Sequence, residues 1–531
     1  MPNTPRIVIV GGGFAGVYTA RSLEKALRPA EAEICLINRE NYFVFQPLLP
    51  EVISGAVGLV ETVTPIRRIC PRTNLYTRYV DSIDFKKKVV RMAPTLRPRA
   101  LELSYDYLVL CPGTVTDYSG MPGLAEYALS FRTLGDALRL RNRALESLEE
   151  AATEKDLVFR ERLLTFVISG GGFSGVEVAA ELNDFLRTAV KAYHPLTADD
   201  LKVMLVHSRD RILPEMSPEL ATYAQKILSR RGVVLKLNAR VKSATAETVT
   251  LNTGEVVNAR TLVSTVPSVM TPLVSALECE KQKGLIVVNG CLEVAGFEGS
   301  AWALGDCASI AMADGSKAPP TAQHATREAQ VAAFNIAVAI RGKGVKKAFH
   351  FPGLGKLASL GHHSAVAEVF GIKISGLPAW ILWRTIYLMK MPGLDRKLRV
   401  GLDWLTGAIF KTDLVQLRVE TSSSIIREHF DAGQIVFEQG DAADRLFIIQ
   451  KGAVEVLRDG VSIAKIGEGE SFGEMGLLTN SARNATVRAT KSTDLVAIAK
   501  SDITQLLANF PELRDGLNAV AEDRNSSRNS P

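Results

Sequence analysis

Six cysteines in 531 residues (Cys35, Cys70, Cys111, Cys279, Cys291 and Cys307) leave no C-x-x-C and no other close pair. A dithiol relay needs two neighbouring sulfurs and a structural zinc needs ligands at short spacings, so the spacing argues against both. No metal site is expected, and the thiols read as structural. Long hydrophobic runs are also missing: no stretch of about 18 apolar residues occurs, so no segment is expected to span a membrane. Excess charge is slight. Against 57 acidic residues stand 63 basic ones, a net +6 that at this length does not point to nucleic acid. The first strand starts within six residues of the N-terminus, without room for a signal peptide, and an intracellular chain is expected.

What is present begins with one loop used twice. "VIVGGGFAGVYTARSL" from Val8 and "VISGGGFSGVEVAAEL" from Val167 each run from a β-branched strand through G-x-G-x-x-G into an apolar-periodic helix. The first glycines (Gly11, Gly170) allow the tight turn. The second (Gly13, Gly172) let backbone approach a pyrophosphate, and the third (Gly16, Gly175) let helix pack on strand. The diphosphate then rests on free N–H groups at the helix starts, Phe14-Ala15 and Phe173-Ser174. One such loop is weak evidence; two in strand–loop–helix context predict two dinucleotides. The length exceeds what one core supports, so an α/β chain with two Rossmann-like units and further domains is expected.

A later stretch, "AWALGDCASI" from Ala301, ends a strand in Gly305-Asp306, the pattern flavoproteins use for the ribityl chain and pyrophosphate of FAD. The arrangement resembles the two-dinucleotide-binding flavoproteins, in which the NAD domain is inserted into the FAD domain. "YDYLVLCPGT" from Tyr105, which contains Gly113, and "ARTLVSTVPS" from Ala259 sit where that superfamily carries its crossover segments. "NYFVFQPLLPEVISG" from Asn41, "GMPGLAEYALSFRTLGDALRLRN" from Gly120, "RILPEMSPELA" from Arg211 and "PPTAQHATREA" from Pro319 narrow the resemblance to the type II NADH dehydrogenases. That resemblance implies FAD, a nicotinamide donor, a membrane quinone as acceptor, no proton pumping and a place on the cytoplasmic face of the membrane. It also implies that Ala322-Gln323 lie along the flavin at the quinone pocket, with Arg327 where the family often has a second glutamine. Glu177 matches a family glutamate near flavin and quinone. A buried carboxylate there could relay a proton; an ordinary first-turn glutamate stabilised by the helix dipole is the other reading.

Cofactor choice is usually decided by an acid at the end of the second strand of each unit, which bonds the adenosine ribose. Neither unit has one. "EICLINRENY" offers Asn38 and Arg39, and the Asn38 amide can still bond a hydroxyl. "VMLVHSRDRILP" offers His207, Ser208 and Arg209, an arrangement that leaves NADPH open beside NADH.

Between residues 377 and 411, Trp380, Trp383 and Trp404 mix with Arg384, Lys390, Arg396, Lys397, Arg399 and Lys411, while Leu398, Leu402, Leu405 and Ile409 recur at helical spacing. Two basic, amphipathic helices separated by Pro392-Gly393 are expected, lying on a membrane surface or serving a homodimer interface. Past the polar "ETSSS" at Glu420, short strands with glycine turns suggest an all-β barrel. "FGEMGLLTNSARNATVRA" from Phe472 closely resembles the phosphate-binding cassette of cyclic nucleotide-binding domains. The resemblance implies that Glu474 bonds the ribose 2′-hydroxyl of cAMP or cGMP and Arg483 its phosphate, within a site formed by Phe472, Gly473, Asn484 and Ala485. No helix-turn-helix follows in the sequence, which disfavours a transcription factor.

The expected boundaries are 1–117 with 280–340 for FAD, 118–279 for the nicotinamide nucleotide, 341–418 for the membrane-facing region, 425–518 for the barrel, and a disordered tail at 519–531. Two rivals stand. A soluble ferredoxin or rubredoxin reductase would need neither the amphipathic segment nor Ala322-Gln323. A cyclic-nucleotide sensor would carry an idle flavoprotein half. A sulfide:quinone oxidoreductase needs paired redox cysteines, which this chain lacks.

Overall fold

In the computed structural model, which describes residues 4–500 and 503 except 96–98, 117, 119–120, 266–267, 313–314, 408, 411–412, 418–424, 431 and 479–480, the chain builds two parallel sheets to one plan. The first holds β1 (Arg6–Val10), β2 (Glu33–Asn38), β3 (Asn74–Thr77) and β4 (Tyr107–Leu110). The chain leaves it for β5 (Ala128–Ser130), β6 (Thr165–Ser169), β7 (Lys202–Val206), β8 (Val233–Lys236) and β9 (Thr261–Ser264), then returns as β10 (Ala301–Ala303). Strand order is β10-β4-β1-β2-β3 in the first sheet and β5-β9-β6-β7-β8 in the second, all parallel. Each sheet therefore pairs its glycine-loop strand between the strand that follows it and the one that closes the unit. The edge strand comes last in the first unit and first in the second, as an insertion of one unit into the other requires.

The central strands are buried throughout, which is why Ile7–Val10 and Phe166–Ile168 read as unbroken apolar runs rather than alternating ones. Helix α1 (Phe14–Ala26) follows β1, and α2 (Leu49–Ser54) lies farther along the first unit. Next come α3 (Leu134–Thr153), whose Thr133 and Asp136 form a capping box, and α4 (Phe173–Ala189), which follows β6. After α5 (Pro218–Arg230), α6 (Ala322–Arg341) packs along α1.

A three-stranded antiparallel sheet, β11 (Gly355–Ser359), β12 (Ala365–Val369) and β13 (Ile372–Gly376), leads into α7 (Leu377–Lys390) and α8 (Leu394–Thr406). Trp383 on α7 and Val400 on α8 are buried with Trp302 in the core of the first unit, so these helices are seated on it. Their other faces are bare. Leu394, Leu398, Leu402 and Leu405 are 58–73% exposed, joined by Leu377, Ile381, Met389, Ile409 and Phe410. No described helix is long and apolar enough to cross a membrane.

Residues 78–103 and 419–531 group as a second compact unit. Its first part is a small sheet of Val80–Asp84, Val89–Met92 and Leu101–Ser104, so these residues group away from the parallel sheet that precedes them in the chain. The rest is two four-stranded antiparallel sheets. One is ordered β14 (Ile425–Phe430), β21 (Thr493–Ala499), β16 (Arg445–Lys451), β19 (Ser471–Phe472). The other runs β15 (Ile435–Phe437), β20 (Thr486–Ala489), β17 (Val454–Arg458), β18 (Val461–Ile466). Phe447, Val454, Phe472, Val487 and Leu495 fill the space between them. Helix α9 (Glu474–Leu478) lies between β19 and β20. Lys411, the end of the expected barrel domain and the 519–531 tail lie outside the described residues.

Candidate functional site

Both loops adopt the geometry their glycines require. Gly11 and Gly170 have φ of +105° and +115°, outside the range of ordinary L-residues. A Cβ on Gly16 would sit 1.8 Å from the Gly11 carbonyl oxygen, and one on Gly175 1.7 Å from that of Gly170. A Cβ on Gly13 or Gly172 would meet nothing within 4 Å. The third glycine is thus a packing requirement and the second faces open space, where a pyrophosphate would approach.

The first loop opens into one cavity of about 1840 Å³. A single small-molecule site occupies roughly 300–1,000 Å³, so the space admits more than one ligand. Gly11, Gly13, Phe14, Ala15, Asn38, Arg39, Gly113, Gly305, Asp306, Ala322 and Gln323 all line it. From the inserted Rossmann-like unit, within the same compact unit of the chain, Phe173, Ser174 and Glu177 at the start of α4 line the same cavity. Gly16 lies behind the wall as the helix contact just described. Gly170, Gly172, Gly175, His207 and Arg209 are not in this wall; they lie at or after the ends of β6 and β7.

The residues present fit FAD. The first N–H groups of α1 have no intrahelical partners, Gly13 is open in front of them, and the Asp306 carboxylate faces the cavity with no partner among the described residues. Partial burial raises the Asp306 carboxyl above its ordinary range, opposed by the charge of Arg132 across the cavity. Arg132 is held by the carbonyl oxygen of Thr114 at 2.7 Å. Behind Gly305, its N–H donates to Glu328 at 2.7 Å; burial raises that carboxyl to about 7.

Two side chains at the ends of their strands brace the loops. The Asn38 amide bonds backbone at both ends: Oδ1 accepts from the Gly12 N–H at 2.9 Å and Nδ2 donates to the Glu40 carbonyl at 2.7 Å. One N–H and one lone pair of the amide are left over for a hydroxyl. His207 braces the second loop, where its Nδ1 accepts from the Gly171 N–H at 3.1 Å. Gln323 is also committed at both ends, donating to Gly355 O and accepting from Leu354 N–H, each at 3.1 Å. Its amide holds the cavity wall in place, which suits a contact surface better than a proton carrier. Arg327 lines the cavity over the ring of Phe351 and donates to Gln330.

Glu177 is 8% exposed and accepts from the Ser359 N–H at 3.0 Å. Burial pushes its carboxyl up to about 8 against that hydrogen bond. Glu181, one turn on along α4, is likewise raised by burial, with Glu51 and Asp184 adding to it. Glu51 on α2 accepts from Trp404 Nε1 at 2.6 Å and from Arg384 at 3.4 Å. The Arg384 guanidinium is itself stacked between Trp380 at 3.9 Å and Trp404 at 4.5 Å. The sequence reasoning missed Glu51 and Glu181, and placed Arg384 only among the cations of the amphipathic segment. Glu181 carried a signal, four residues after Glu177 on one helix face.

The tryptophans therefore face inward, and several basic groups are neutralised there too, as with Arg396 on Glu61 at 2.6 Å. What α7 and α8 expose includes a run of leucines, Leu394, Leu398, Leu402 and Leu405, beside the charged Lys390, Asp395 and Arg399. The cavity runs to this side, where Tyr387, Lys390, Met391, Pro392 and Lys397 line it. Burial pushes the thiols of Cys35, Cys70 and Cys307 up to about 12, which keeps these three protonated at neutral pH.

The second unit holds its own polar cluster. Arg483 has 2% of its side chain exposed, donates to the carbonyls of Gly473 at 2.8 Å and Arg445 at 2.7 Å, and lies 4.1 Å over the ring of Phe437. Burial lowers it to about 10, against the charges of Asp444, Asp441 and Glu474. Glu474 is 4% exposed, Ala485 is buried, and Phe472 stacks on Phe447 at 5.2 Å. Gly473 (φ +88°) carries the turn, and a Cβ there would come within 2.5 Å of Arg483 Nη1. Asn484 is exposed and donates to Met475 Sδ.

Comparison with known proteins matches residues 5–329 to the family model "Pyridine nucleotide-disulphide oxidoreductase". Residues 354–413 match the "NDH2 C-terminal domain" and 427–510 the "Cyclic nucleotide-binding domain". The demethylphylloquinone reductase NdbB of Synechocystis is 33% identical over 76% of this chain and 96% of its own. The type II NADH:quinone oxidoreductase NdhA of Mycobacterium tuberculosis is 30% identical over 75% and 86%. Among solved structures, NDH2 from Plasmodium falciparum in complex with NADH superposes with a TM-score of 0.71 at 18% identity, covering 78% of this chain and all of that one.

Proposed function

This chain belongs to the pyridine nucleotide-disulphide oxidoreductase family, with the type II NADH:quinone oxidoreductases as its relatives and a cyclic nucleotide-binding domain at its C-terminal end, and from that premise we propose that it is a flavin-dependent NAD(P)H:quinone oxidoreductase. The observation that supports this reading is one cavity lined by the first dinucleotide loop, by the start of the helix that follows the second, and by Ala322-Gln323. Bound FAD would supply the redox chemistry that links a nicotinamide hydride donor to a two-electron quinone acceptor, without proton pumping. Gly13, Phe14 and Asp306 would hold it along the pyrophosphate and ribityl chain. Phe173 and Ser174, at the mouth of the second loop, would bring the nicotinamide to the same space, where hydride transfer needs reacting atoms about 3–3.5 Å apart. Ala322 and the clamped Gln323 would form the wall on the quinone side. Glu177 would hold the proton that quinone reduction consumes. Rapid mixing of the purified protein with NADH or NADPH, then with a short-chain quinone, tests the whole sequence. Bleaching of the flavin colour followed by its return with quinone is expected; a protein that bleaches but returns only with a ferredoxin-type acceptor would favour the soluble rival.

The bare leucine face supports peripheral attachment to the membrane in which the quinone dissolves. Each buried leucine contributes about 1.5–3 kcal/mol, so replacing Leu398, Leu402 and Leu405 by serine is expected to weaken binding to lipid vesicles at least about a hundredfold. Sedimentation with vesicles measures this, and unchanged co-sedimentation would remove the face from the membrane.

For the second unit, the buried Glu474–Arg483 pair supports binding of cAMP or cGMP and, through it, control of turnover or attachment. A bidentate charge-assisted contact contributes about 3 kcal/mol. R483Q is therefore expected to weaken cyclic-nucleotide binding by about a hundredfold in calorimetry. Equal affinity in the variant would assign Arg483 to the framework alone.

A further inference from the structure

In the second dinucleotide unit no carboxylate stands at the end of β7, where the strand meets the adenosine end of the site. His207 follows β7 directly, at the place where an acid would bond the ribose hydroxyls and repel a phosphate. Its ring is fixed: Nδ1 accepts from the Gly171 N–H, and a Cβ on Gly171 would come within 2.6 Å of His207 Cγ. Because Nδ1 accepts, the proton of the neutral ring sits on Nε2. That N–H belongs to a side chain 8% exposed and has no partner among the described residues. A buried donor of this kind costs about 1–3 kcal/mol until something accepts from it.

Next to it, Ser208 and Arg209 are exposed. The Arg209 guanidinium makes no hydrogen bond or ion pair among the described residues, although its charge acts on His207. Asp210 and Glu215 also act on His207 with the opposite sign; Arg209 and Arg211 match them in number. We propose that this end of the site takes a ribose 2′-phosphate, with His207 Nε2 and Arg209 as its donors, so that NADPH is a donor to this chain on at least equal terms with NADH. The inference rests on the dehydrogenase reading above and names the nucleotide it uses. A 2′-phosphate would satisfy the orphaned Nε2–H and give the planar Arg209 guanidinium the anionic partner it lacks.

The test titrates 2′,5′-ADP and 5′-ADP into the holoenzyme by calorimetry, and follows flavin bleaching by NADPH and NADH, in wild type, R209A and H207E. Wild type is expected to bind 2′,5′-ADP at least about tenfold more tightly than 5′-ADP, about 1.4 kcal/mol, and to be bleached by NADPH at a rate no slower than by NADH. R209A narrows the affinity gap. H207E, which can still accept from Gly171 N–H, lowers kcat/KM for NADPH at least about tenfold relative to NADH. Equal affinity for the two ADPs in wild type, or an NADPH-to-NADH ratio that H207E leaves unmoved, overturns the proposal. If neither nucleotide bleaches the flavin, the dehydrogenase reading itself fails, while the calorimetric preference is still measured separately.

Discussion

Gly16→Ala is expected to yield a folded protein without yellow colour. The added methyl carbon would lie 1.8 Å from the Gly11 carbonyl oxygen, with backbone on one side and the Ile9 side chain 3.4 Å away on the other. Nothing flexible can yield, so α1 must move away from β1, and its N–H groups move with it. The pyrophosphate contact depends on those groups being in place, and Gly11, already at φ +105°, cannot absorb the shift. The same change in the second loop separates the two roles. In Gly175→Ala the methyl would sit 1.7 Å from the Gly170 oxygen. This variant should keep its flavin and lose bleaching by NADH at least about a hundredfold, the effect of misplacing a reacting group by about 1 Å. Flavin-to-protein absorbance ratios and rapid mixing check both. Loss of flavin from the Gly175 variant, or normal bleaching in it, would contradict the assignment of donor and acceptor to the two loops.

The second large effect concerns Glu177 and pH. Burial holds this carboxyl near 8, so it is protonated at neutral pH and lies in the cavity wall. Its protonated fraction falls about tenfold per unit above that value. Reoxidation of the flavin by quinone should therefore slow as pH rises through about 8, and E177Q should be slower at pH 7 by about a hundredfold or more, with that pH step removed. A merely structural glutamate would leave the pH profile of the glutamine variant parallel to wild type. Stability carries the same sign. The folded value of about 8 lies above the ordinary 4.5, so the folded state binds the extra proton between these limits. The contribution is fully present below about 4.5 and is lost as pH rises to about 8. E177Q should flatten the decline of Tm over that window, and thermal denaturation at several pH values measures it.

The parts of this molecule legible in its sequence are those that local rules dictate. A β-branched run, a glycine triad at fixed offsets and a periodic helix form one self-contained unit, and Gly11–Gly16 and Gly170–Gly175 fold as that pattern requires. Leu398, Leu402 and Leu405 fell on one bare helical face because helical periodicity needs no partner to be read. The misses share a different cause. Glu51 and Arg384 join Glu177 and Glu181 from α2 and α7 only through tertiary packing against α4, and no spacing in the sequence announces that. The inward turn of Trp383 and Trp404 is likewise a consequence of packing on Glu51 and the first core. Asn38 and Gln323 both line the cavity, and their hydrogen bonds to Gly12, Glu40, Leu354 and Gly355 depend on backbone that folds against them. The grouping of residues 78–103 with the C-terminal barrel is equally a long-range feature.

The most direct measurement is a deuterium isotope effect on flavin bleaching. Nicotinamide nucleotide carrying deuterium at the transferred position of C4, mixed rapidly with the purified holoenzyme without oxygen, should bleach the flavin several times more slowly than the protonated form, because the hydride crosses directly between two dinucleotides held in one cavity. Bleaching at the same rate with both forms and at every concentration, or a flavin that neither form bleaches, would contradict that arrangement.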